Sequence, residues 1–388
     1  MTAWRPAPFR QILLKLHSRC NLQCDHCYVY EHVDQSWRDR PRCMSAETID
    51  LVAQRVGEHV REHRLPMIKV GLHGGEPLLA GPEIIEHAVT SVRAAVPDRT
   101  RVDFTVQTNG VLLNDRFLRL FENLGVVVGV SLDGGRVAND RHRLFPNGRS
   151  SFAAVASALR LLAEHPSVYG GLLCTIDVRN DPVGVYEDLL AFSPPQLDLL
   201  LPHGNWAAPP PERSLDTQPS HYAEWLIAVF DRWFDAPVRE TKIRFFESII
   251  GLLFGLPSES ESVGLSPIDL VTVETDGTWE QGDALKTVAD GAAATGLTVR
   301  DHSLDEALRN PGIIARQRGL AALGPECRQC PIVGVCGGGL YAHRYSDHAG
   351  FASPSVYCGD LGALIWHIRG RLTAGLATLP SSRFVESG

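Results

Sequence analysis

The sequence of 388 residues lacks any uninterrupted run of about 18 apolar residues, the length that a membrane-spanning helix needs. Its first ten residues contain two prolines and no apolar segment like that of a secretory signal. Basic residues are not in excess, since the formal net charge is −8, which excludes a global electrostatic attraction to nucleic acid or anionic membrane. We therefore expect a cytoplasmic protein whose partners include neither nucleic acid nor membrane.

The cysteines are few, odd in number and unevenly spread. Seven of the nine fall in two tight groups, a pattern that in a reducing compartment indicates metal binding rather than disulfides. Cys43 and Cys174 stand apart, and we expect both to be small buried residues rather than ligands. Cysteine spacing is therefore the most informative feature of the sequence.

Up to about residue 203, short apolar stretches alternate with helical patterns, as in repeated βα units that form a parallel sheet. The predicted strands cover residues 11–17, 68–73, 102–108, 126–131, 171–178 and 197–201. The predicted helices cover residues 45–63, 82–94, 115–123, 151–163 and 183–191. Ser45 is expected to cap the first of these helices. Six such strands are enough for an open barrel.

After residue 203 the pattern changes. A proline-rich stretch at residues 202–219 predicts a domain boundary or a loop beside the substrate. Helices are predicted at residues 221–233 and 242–253, and a β-hairpin at 270–281 with its turn at Asp276-Gly277. A further helix is predicted near residues 304–318 and a terminal one near 361–372. We expect three units, at residues 1–205, 206–265 and 266–388.

The first cysteine group, Cys20, Cys24 and Cys27, lies just after the first predicted strand, so three thiolates can converge from one short loop. A 4Fe-4S cluster with three protein thiolates leaves one iron open to chelation by a small molecule. The alternative is a structural zinc loop, which normally has four ligands, whereas this loop offers three cysteines and His26.

Three further motifs follow the next predicted strands. They are residues 73–77 (HGGEP), 108–110 (TNG) and 131–134 (SLDG). Each alone could be an ordinary turn. Functional residues collect at the carboxyl ends of barrel strands, so four such motifs in chain order are more specific together than singly.

The cysteine run and these motifs together resemble the radical S-adenosylmethionine (SAM) superfamily. The resemblance implies an α/β fold, a partial (β/α)6 TIM barrel, with a 4Fe-4S cluster and SAM as cofactors. It implies that His26 lies near the adenine and that Glu76 takes the SAM ammonium group. Other residues then form the rest of the SAM pocket, with Ser131 and Asp133 on the ribose: Gly74, Gly75, Thr108, Asn109, Ser131 and Asp133.

The second cysteine group supplies four thiolates: Cys327, Cys330, Cys336 and Cys358. Four thiolates can saturate an iron-sulfur cluster or close a zinc site. Beside a radical SAM core, the stretch resembles a SPASM/twitch-like auxiliary cluster domain, whose full form has seven cysteines for two clusters. Leu340 stands where one of those cysteines is expected, and the hairpin has none. The resemblance therefore implies one auxiliary 4Fe-4S cluster.

SPASM-type enzymes act mostly on peptides, which implies a ribosomal precursor peptide as substrate and an external electron donor such as flavodoxin or ferredoxin. Residues 201–206 and 274–283 resemble FxS-type maturases, which form three-residue cyclophanes by joining an aromatic ring carbon to a β-carbon. By this resemblance Asp283 is the general base, and His203, Asn205 and Trp206 line the peptide groove. The alternatives are thioether formation, formylglycine-type oxidation, and a non-catalytic metal-cluster scaffold that binds a peptide.

Overall fold

A computed structural model describes residues 5–213, 220–258 and 260–377. Within these residues ten strands form one mixed sheet in the order β12-β11-β10-β1-β3-β4-β5-β7-β8-β9, and β2 and β6 form a small separate pair. The six central strands are parallel and are the six that the sequence predicts. The predicted α/β class with a mostly parallel sheet is therefore confirmed.

The strands of the main sheet alternate with helices as far as β8. The strands are β1 (Gln11–His17), β2 (Gln23–Cys24), β3 (Met67–Gly74), β4 (Arg101–Thr108), β5 (Val126–Ser131), β6 (Arg143–Leu144), β7 (Tyr169–Thr175), β8 (Gln196–Leu200), β9 (Lys242–Ile243), β10 (Leu270–Val273), β11 (Thr278–Glu280) and β12 (Ala294–Thr298). The helices are α1 (Ala46–His63), α2 (Pro82–Ala95), α3 (Asp115–Leu124), α4 (Arg136–Asn139), α5 (Phe152–Ala163), α6 (Pro182–Leu190), α7 (His221–Phe234), α8 (Arg244–Leu253), α9 (Leu304–Ala307), α10 (Pro311–Arg316), α11 (Pro325–Arg328), α12 (Val333–Cys336) and α13 (Cys358–Ala377).

Helix α1 shows how local sequence fixes these elements. The Ser45 hydroxyl accepts a hydrogen bond from the Thr48 amide, as predicted, and satisfies a donor of the first turn. The apolar residues recur at helical spacing and are buried against the sheet: Ile49, Val52, Ala53, Val56 and Val60. Arg64 then takes a left-handed conformation and ends the helix.

The C-terminal part extends the same sheet. Strand β10 pairs in parallel with β1, and β11 returns antiparallel to form the predicted hairpin. Strand β12 adds a third antiparallel strand that the sequence analysis did not predict. The single helix expected at residues 304–318 is wrong: the structure has α9 and α10, because Pro311 lacks the amide hydrogen that a continuous helix needs and begins a new one.

Two further predicted elements are the helix at residues 242–253 and the loop at residues 202–219. The predicted helix at residues 242–253 begins with the short strand β9, which lies at the other edge of the sheet. Part of the predicted loop at residues 202–219, namely 214–219, lies outside the described residues. Among the residues that are described, no helix is both long and apolar enough to cross a membrane.

Candidate functional site

The first cysteine loop runs from the end of β1 across the carboxyl edge of the sheet. The Cys24 backbone pairs with Arg143 in the small β2-β6 sheet, so a two-residue strand places a guanidinium beside this cysteine. The amide of Cys27 donates to the Cys24 carbonyl at 3.1 Å, which folds the loop back on itself. All three cysteines are partly buried and line one cavity.

The backbone of residues 74–76 is hydrogen-bonded to the start of this loop. The Gly75 amide donates to His17 O at 2.8 Å and the Glu76 amide donates to Arg19 O at 3.0 Å. A Cβ atom at Gly75 would lie 1.8 Å from Tyr30 Oη and 2.5 Å from Arg19 O. Only glycine permits this approach of the two backbones.

The surroundings of the loop set the chemistry of its thiols. Burial raises the pKa of Cys20 to about 11 and that of Cys24 to about 12, so both are neutral thiols without a bound metal. The Asn109 amide Nδ2 lies 3.5 Å from Cys20 Sγ and donates to Asn21 Oδ1 at 2.7 Å. Metal binding would therefore displace protons from this loop.

The cavity has a volume of about 230 Å³ and joins distant parts of the chain. The predicted residues that line it are Cys20, Cys24, His26, Cys27, Gly74, Gly75, Thr108, Asn109, Ser131 and His203. The lining also includes Leu340, His343 and Leu361 from the C-terminal part. Residues predicted to bind a cofactor thus share one cavity that the C-terminal part closes.

Glu76 is placed differently from the sequence prediction. Its side chain is fully buried and is not part of the cavity lining. One carboxylate oxygen accepts from the Leu78 amide at 3.0 Å and from Thr108 Oγ1 at 2.7 Å, and the other accepts from the Asn109 amide at 2.8 Å. The carboxylate therefore ties the ends of β3 and β4 together, and the expected contact with an ammonium group stays a prediction.

Ser131 and Asp133 are also separated by the structure. Ser131 lines the cavity, where its hydroxyl accepts from Gln107 Nε2 at 2.9 Å. Asp133 lies outside the lining and accepts two hydrogen bonds from Arg143, at 2.7 and 3.1 Å, and one from the Thr175 amide. Arg143, which lines the cavity, was missed by the sequence analysis because a two-residue strand leaves no periodic pattern.

His26 lies between the cavity and a group of polar side chains. Its ring is 4.9 Å from that of His142, and its Nε2 is 3.7 Å from Asp133 Oδ2. Burial lowers the pKa of His26 to about 4, so the ring is neutral at ordinary pH. The position of His26 near an adenine stays a prediction.

Asp283, the predicted base, belongs to a buried group of charges behind the cavity. Lys15 Nζ lies 2.7 Å from Asp283 Oδ1 and 3.2 Å from Glu274 Oε1. Burial lowers the pKa of Lys15, but the Asp283 and Glu274 carboxylates outweigh it and raise that pKa well above its usual value. Asp283 Oδ2 has no hydrogen-bond partner among the described residues. Burial, and after it the charge of Asp283, raises the pKa of Tyr28, which lines the cavity.

The three predicted groove residues do not act as one surface. His203 lines the cavity, where its ring lies 4.8 Å from Tyr28 and 5.5 Å from His343. Asn205 is buried and donates to Thr287 O, and Trp206 Nε1 donates to Pro354 O at 2.7 Å. Neither Asn205 nor Trp206 lines the cavity, because their polar groups anchor the loop to the C-terminal part.

The second cysteine group forms a separate site. Its four cysteines line one cavity of about 320 Å³, with Cys327 and Cys336 buried and Cys358 exposed at the start of α13. The Arg344 guanidinium donates to the carbonyls of Gly337, Gly338 and Gly339 at 2.9–3.1 Å and fixes the loop after Cys336. None of the nine cysteines, all of them described, forms a disulfide.

The family model of the radical SAM superfamily matches residues 14–181, which include the first cysteine loop and the ends of the first strands. This stretch is a radical SAM domain. The predicted recognition is confirmed at this level, and the domain supplies every cavity residue described above except those from β8 onward.

Two curated relatives carry the name of serine-type anaerobic sulfatase-maturating enzyme. The one from Klebsiella aerogenes is 25% identical over 352 residues, which are 87% of this chain and 81% of that relative. The one from Bacteroides thetaiotaomicron is 25% identical over 275 residues, which are 66% of this chain and 65% of that relative's own length.

The solved structures agree in fold. The structure described as native anSMEcpe with bound AdoMet has a TM-score of 0.79 and 21% identity, and the match covers 95% of this chain and all of that chain. The same protein with bound AdoMet and the Cp18Cys peptide has a TM-score of 0.77. At this identity the likeness establishes the fold of the radical SAM domain and of its C-terminal extension.

The residues present fit the cofactors that the radical SAM domain implies. The inner loop offers three sulfur donors beside a cavity with polar walls, as a cluster with one open iron requires. The outer group offers four sulfur donors around one cavity. A four-sulfur set is equally suited to zinc by its donor chemistry, so the metal of the outer site stays a prediction.

Proposed function

We propose that the chain is a radical SAM enzyme that modifies a side chain of a peptide substrate. The observation that carries the proposal is the shared cavity: three cysteines of the radical SAM domain open onto it, and residues of the C-terminal part close it. A largely apolar cavity with a few polar groups limits the access of water to a reactive intermediate.

When bound, the inner cluster and SAM supply a 5′-deoxyadenosyl radical that abstracts hydrogen from an otherwise unreactive carbon. Cys20, Cys24 and Cys27 hold that cluster. Ser131, which lines the cavity, is suited to a ribose hydroxyl, and Arg143 lines the cavity while its guanidinium pairs with Asp133. The remaining cavity residues orient the ligand and exclude water.

The relatives support a peptide as substrate. Two of them are named sulfatase-maturating enzymes, and one similar structure holds a peptide beside AdoMet. In this chain Tyr28, His203 and His343 form an aromatic wall of the cavity. Such a wall suits an aromatic side chain, because ring pairs at these separations attract one another.

For the reaction itself we propose the aromatic carbon to Cβ crosslink of a three-residue cyclophane. One carbon–carbon bond forms and two carbon–hydrogen bonds break: one hydrogen is abstracted from Cβ, and the ring hydrogen leaves as a proton with one electron left over. The unpartnered Oδ2 of Asp283 is the proposed proton acceptor. The electron needs a redox acceptor, and the four outer cysteines offer the donors for one.

A second candidate is oxidation of a serine or cysteine side chain to formylglycine. The names of the relatives favour it. Serine oxidation and cyclophane formation both remove two hydrogens from the peptide, so mass alone does not separate them. The aldehyde of formylglycine reacts with hydroxylamine, whereas a carbon–carbon crosslink does not.

The test uses anaerobically reconstituted full-length protein with SAM, dithionite and the precursor peptide, the external electron donor being bypassed. We expect formation of 5′-deoxyadenosine and a peptide lighter by two hydrogens that hydroxylamine leaves unchanged. Labelling by hydroxylamine would select the formylglycine reaction, and absence of 5′-deoxyadenosine would leave only a binding scaffold.

The role of Asp283 has its own test. The Asp283→Asn variant should still form 5′-deoxyadenosine but should lose product by roughly 100-fold, the scale of a general base. Asp290, an exposed carboxylate nearby in the chain, provides the matched control as Asp290→Asn. Equal product from both variants would contradict the assignment.

A further inference from the structure

Two histidines of α1 and one aspartate of α9 form a cluster that contains no cysteine. His59 and His63 are four positions apart and therefore lie on the same face of the helix. Asp305 Oδ1 is 2.9 Å from His59 Nδ1 and 2.6 Å from His63 Nε2. The three donor atoms belong to the radical SAM domain and to its C-terminal extension.

The hydrogen-bond partner of His59 Nε2 bears on where the hydrogen of this ring lies. His59 is 1% exposed, and its Nε2 lies 3.2 Å from the carbonyl oxygen of Phe9. The Phe9 carbonyl and the Asp305 carboxylate both only accept hydrogen bonds, so a neutral ring with one hydrogen satisfies only one of them; with the hydrogen on Nε2, Nδ1 presents a lone pair. That lone pair faces a carboxylate oxygen at 2.9 Å, and two such groups attract only if a cation lies between them.

The cation is either a proton, which makes His59 an imidazolium, or a metal ion. A metal-binding histidine commonly donates its other ring hydrogen to a backbone carbonyl, which is the arrangement that Phe9 provides.

We propose that His59, His63 and Asp305 bind one divalent transition-metal ion of the zinc class. Two imidazole nitrogens and a carboxylate oxygen are ligands that zinc accepts, and a water completes four-coordination. With bonds of about 2.0–2.1 Å, two donors of a tetrahedral ion lie about 3.3–3.4 Å apart, so the separations of 2.9 and 2.6 Å must widen by roughly 0.4–0.8 Å. His63 and Asp305 are 28% and 31% exposed, so solvent reaches the site.

The ion would fasten the two parts of the molecule together. Helix α1 packs on the sheet of the radical SAM domain, and α9 follows the hairpin strands of the extension. The capping box of Ser303 and Glu306 fixes the first turn of α9 and leaves the neighbouring Asp305 to face α1. The site is thus structural in position and independent of the peptide reaction.

The experiment counts metals in untagged, anaerobically reconstituted protein after incubation with Zn²⁺ and removal of loosely held ions. Zinc and iron are measured together, so that zinc in a cysteine site is seen as lost iron. We expect about one zinc per chain in the wild type with iron unchanged. Zinc should fall roughly tenfold or more in Asp305→Asn and in His63→Gln.

The matched control is His165→Gln, which removes a surface histidine whose Nδ1 lies 2.8 Å from Glu122 Oε1 without a third ligand. This variant should keep the zinc of the wild type. Unchanged iron and an unchanged circular dichroism spectrum show that the variants are folded. Equal zinc in the wild type and in Asp305→Asn would overturn the proposal and leave a protonated His59 as the cation.

Discussion

The two cysteine sites differ in number of donors and in exposure. The inner loop has three cysteines, all partly buried, on a cavity that reaches from the radical SAM domain to the C-terminal part. The outer site has four cysteines, of which Cys358 is exposed. A site with one ligand missing inside a cavity suits catalysis, whereas a complete ligand set near the surface suits structure or electron exchange.

The loops of the two sites are also supported by different side chains, an acidic one at the inner site and a basic one at the outer site. Beneath the inner loop, the buried Glu76 carboxylate accepts hydrogen bonds from two backbone amides and from Thr108. At the outer site, the Arg344 guanidinium donates to three glycine carbonyls. In both cases a buried ionisable side chain satisfies backbone atoms that the irregular loop leaves without partners.

The strongest test of the comparison removes the inner donors. Changing Cys20, Cys24 and Cys27 together to alanine should lower 5′-deoxyadenosine formation by at least about 10³-fold, because no open iron remains to bind SAM. Iron analysis should still find about four irons per chain in the outer site. Cys43→Ala, which removes a cysteine outside both cavities, should leave both measurements unchanged. SAM cleavage by the triple variant would end the assignment of this loop.

Removal of outer donors should give the reverse result. In Cys330→Ala with Cys358→Ala we expect about four irons to be lost and 5′-deoxyadenosine formation to survive within a few-fold, while peptide product falls about tenfold or more. The measurement is the ratio of product to 5′-deoxyadenosine. Cys174→Ala, a buried cysteine in β7, is the control. An unchanged ratio would mean that the outer site takes no part in turnover.

A smaller effect is expected at the support of the outer loop. Hydrogen bonds from a charged donor are worth about 1.5–3 kcal/mol each; if the glutamine amide of Arg344→Gln keeps one of the three, the loss of unfolding free energy should reach roughly 3–6 kcal/mol. Outer iron should fall while SAM cleavage persists. Chemical denaturation and iron analysis check this, with Arg328→Gln as an exposed control beside Cys327. Equal iron in both variants would contradict the role of Arg344.

Much of the fold could be predicted because local patterns of apolar residues indicate its strands and helices. The six central strands bury apolar residues, which appear in the sequence as short continuous or alternating apolar stretches between turn signals. Strand β12, with the sequence ATGLT, has no buried residue and so carries no apolar pattern. The break between α9 and α10 was missed although Pro311 marks it, because the apolar spacing continues on both sides.

The site was predictable only where residues sit next to strand ends. The cysteine loop and residues 74–75 were found in this way. Arg143 lies in a strand of two residues, and His343 lies in a loop far along the chain, so only the folded structure brings them to the cavity. Lys15 could have been recognised from the sequence, because a lysine inside an apolar strand needs a carboxylate partner. The sequence alone does not identify that partner.

The smallest expected effect concerns the support of the inner loop and its dependence on pH. Burial raises the pKa of Glu76 from its ordinary 4.5 to about 7. Folding therefore favours the protonated carboxyl, so its contribution to stability is complete below about pH 4.5 and is lost as the pH rises through about 7. At about 1.36 kcal/mol per pKa unit, this loss is at most on the order of 3 kcal/mol. Urea unfolding of the cluster-free protein should show it in the wild type and in the exposed control Glu83→Gln, but not in Glu76→Gln. If all three proteins show the same dependence of unfolding free energy on pH, another group neutralises the charge of Glu76. The comparison of the two loops would then depend on Arg344 alone.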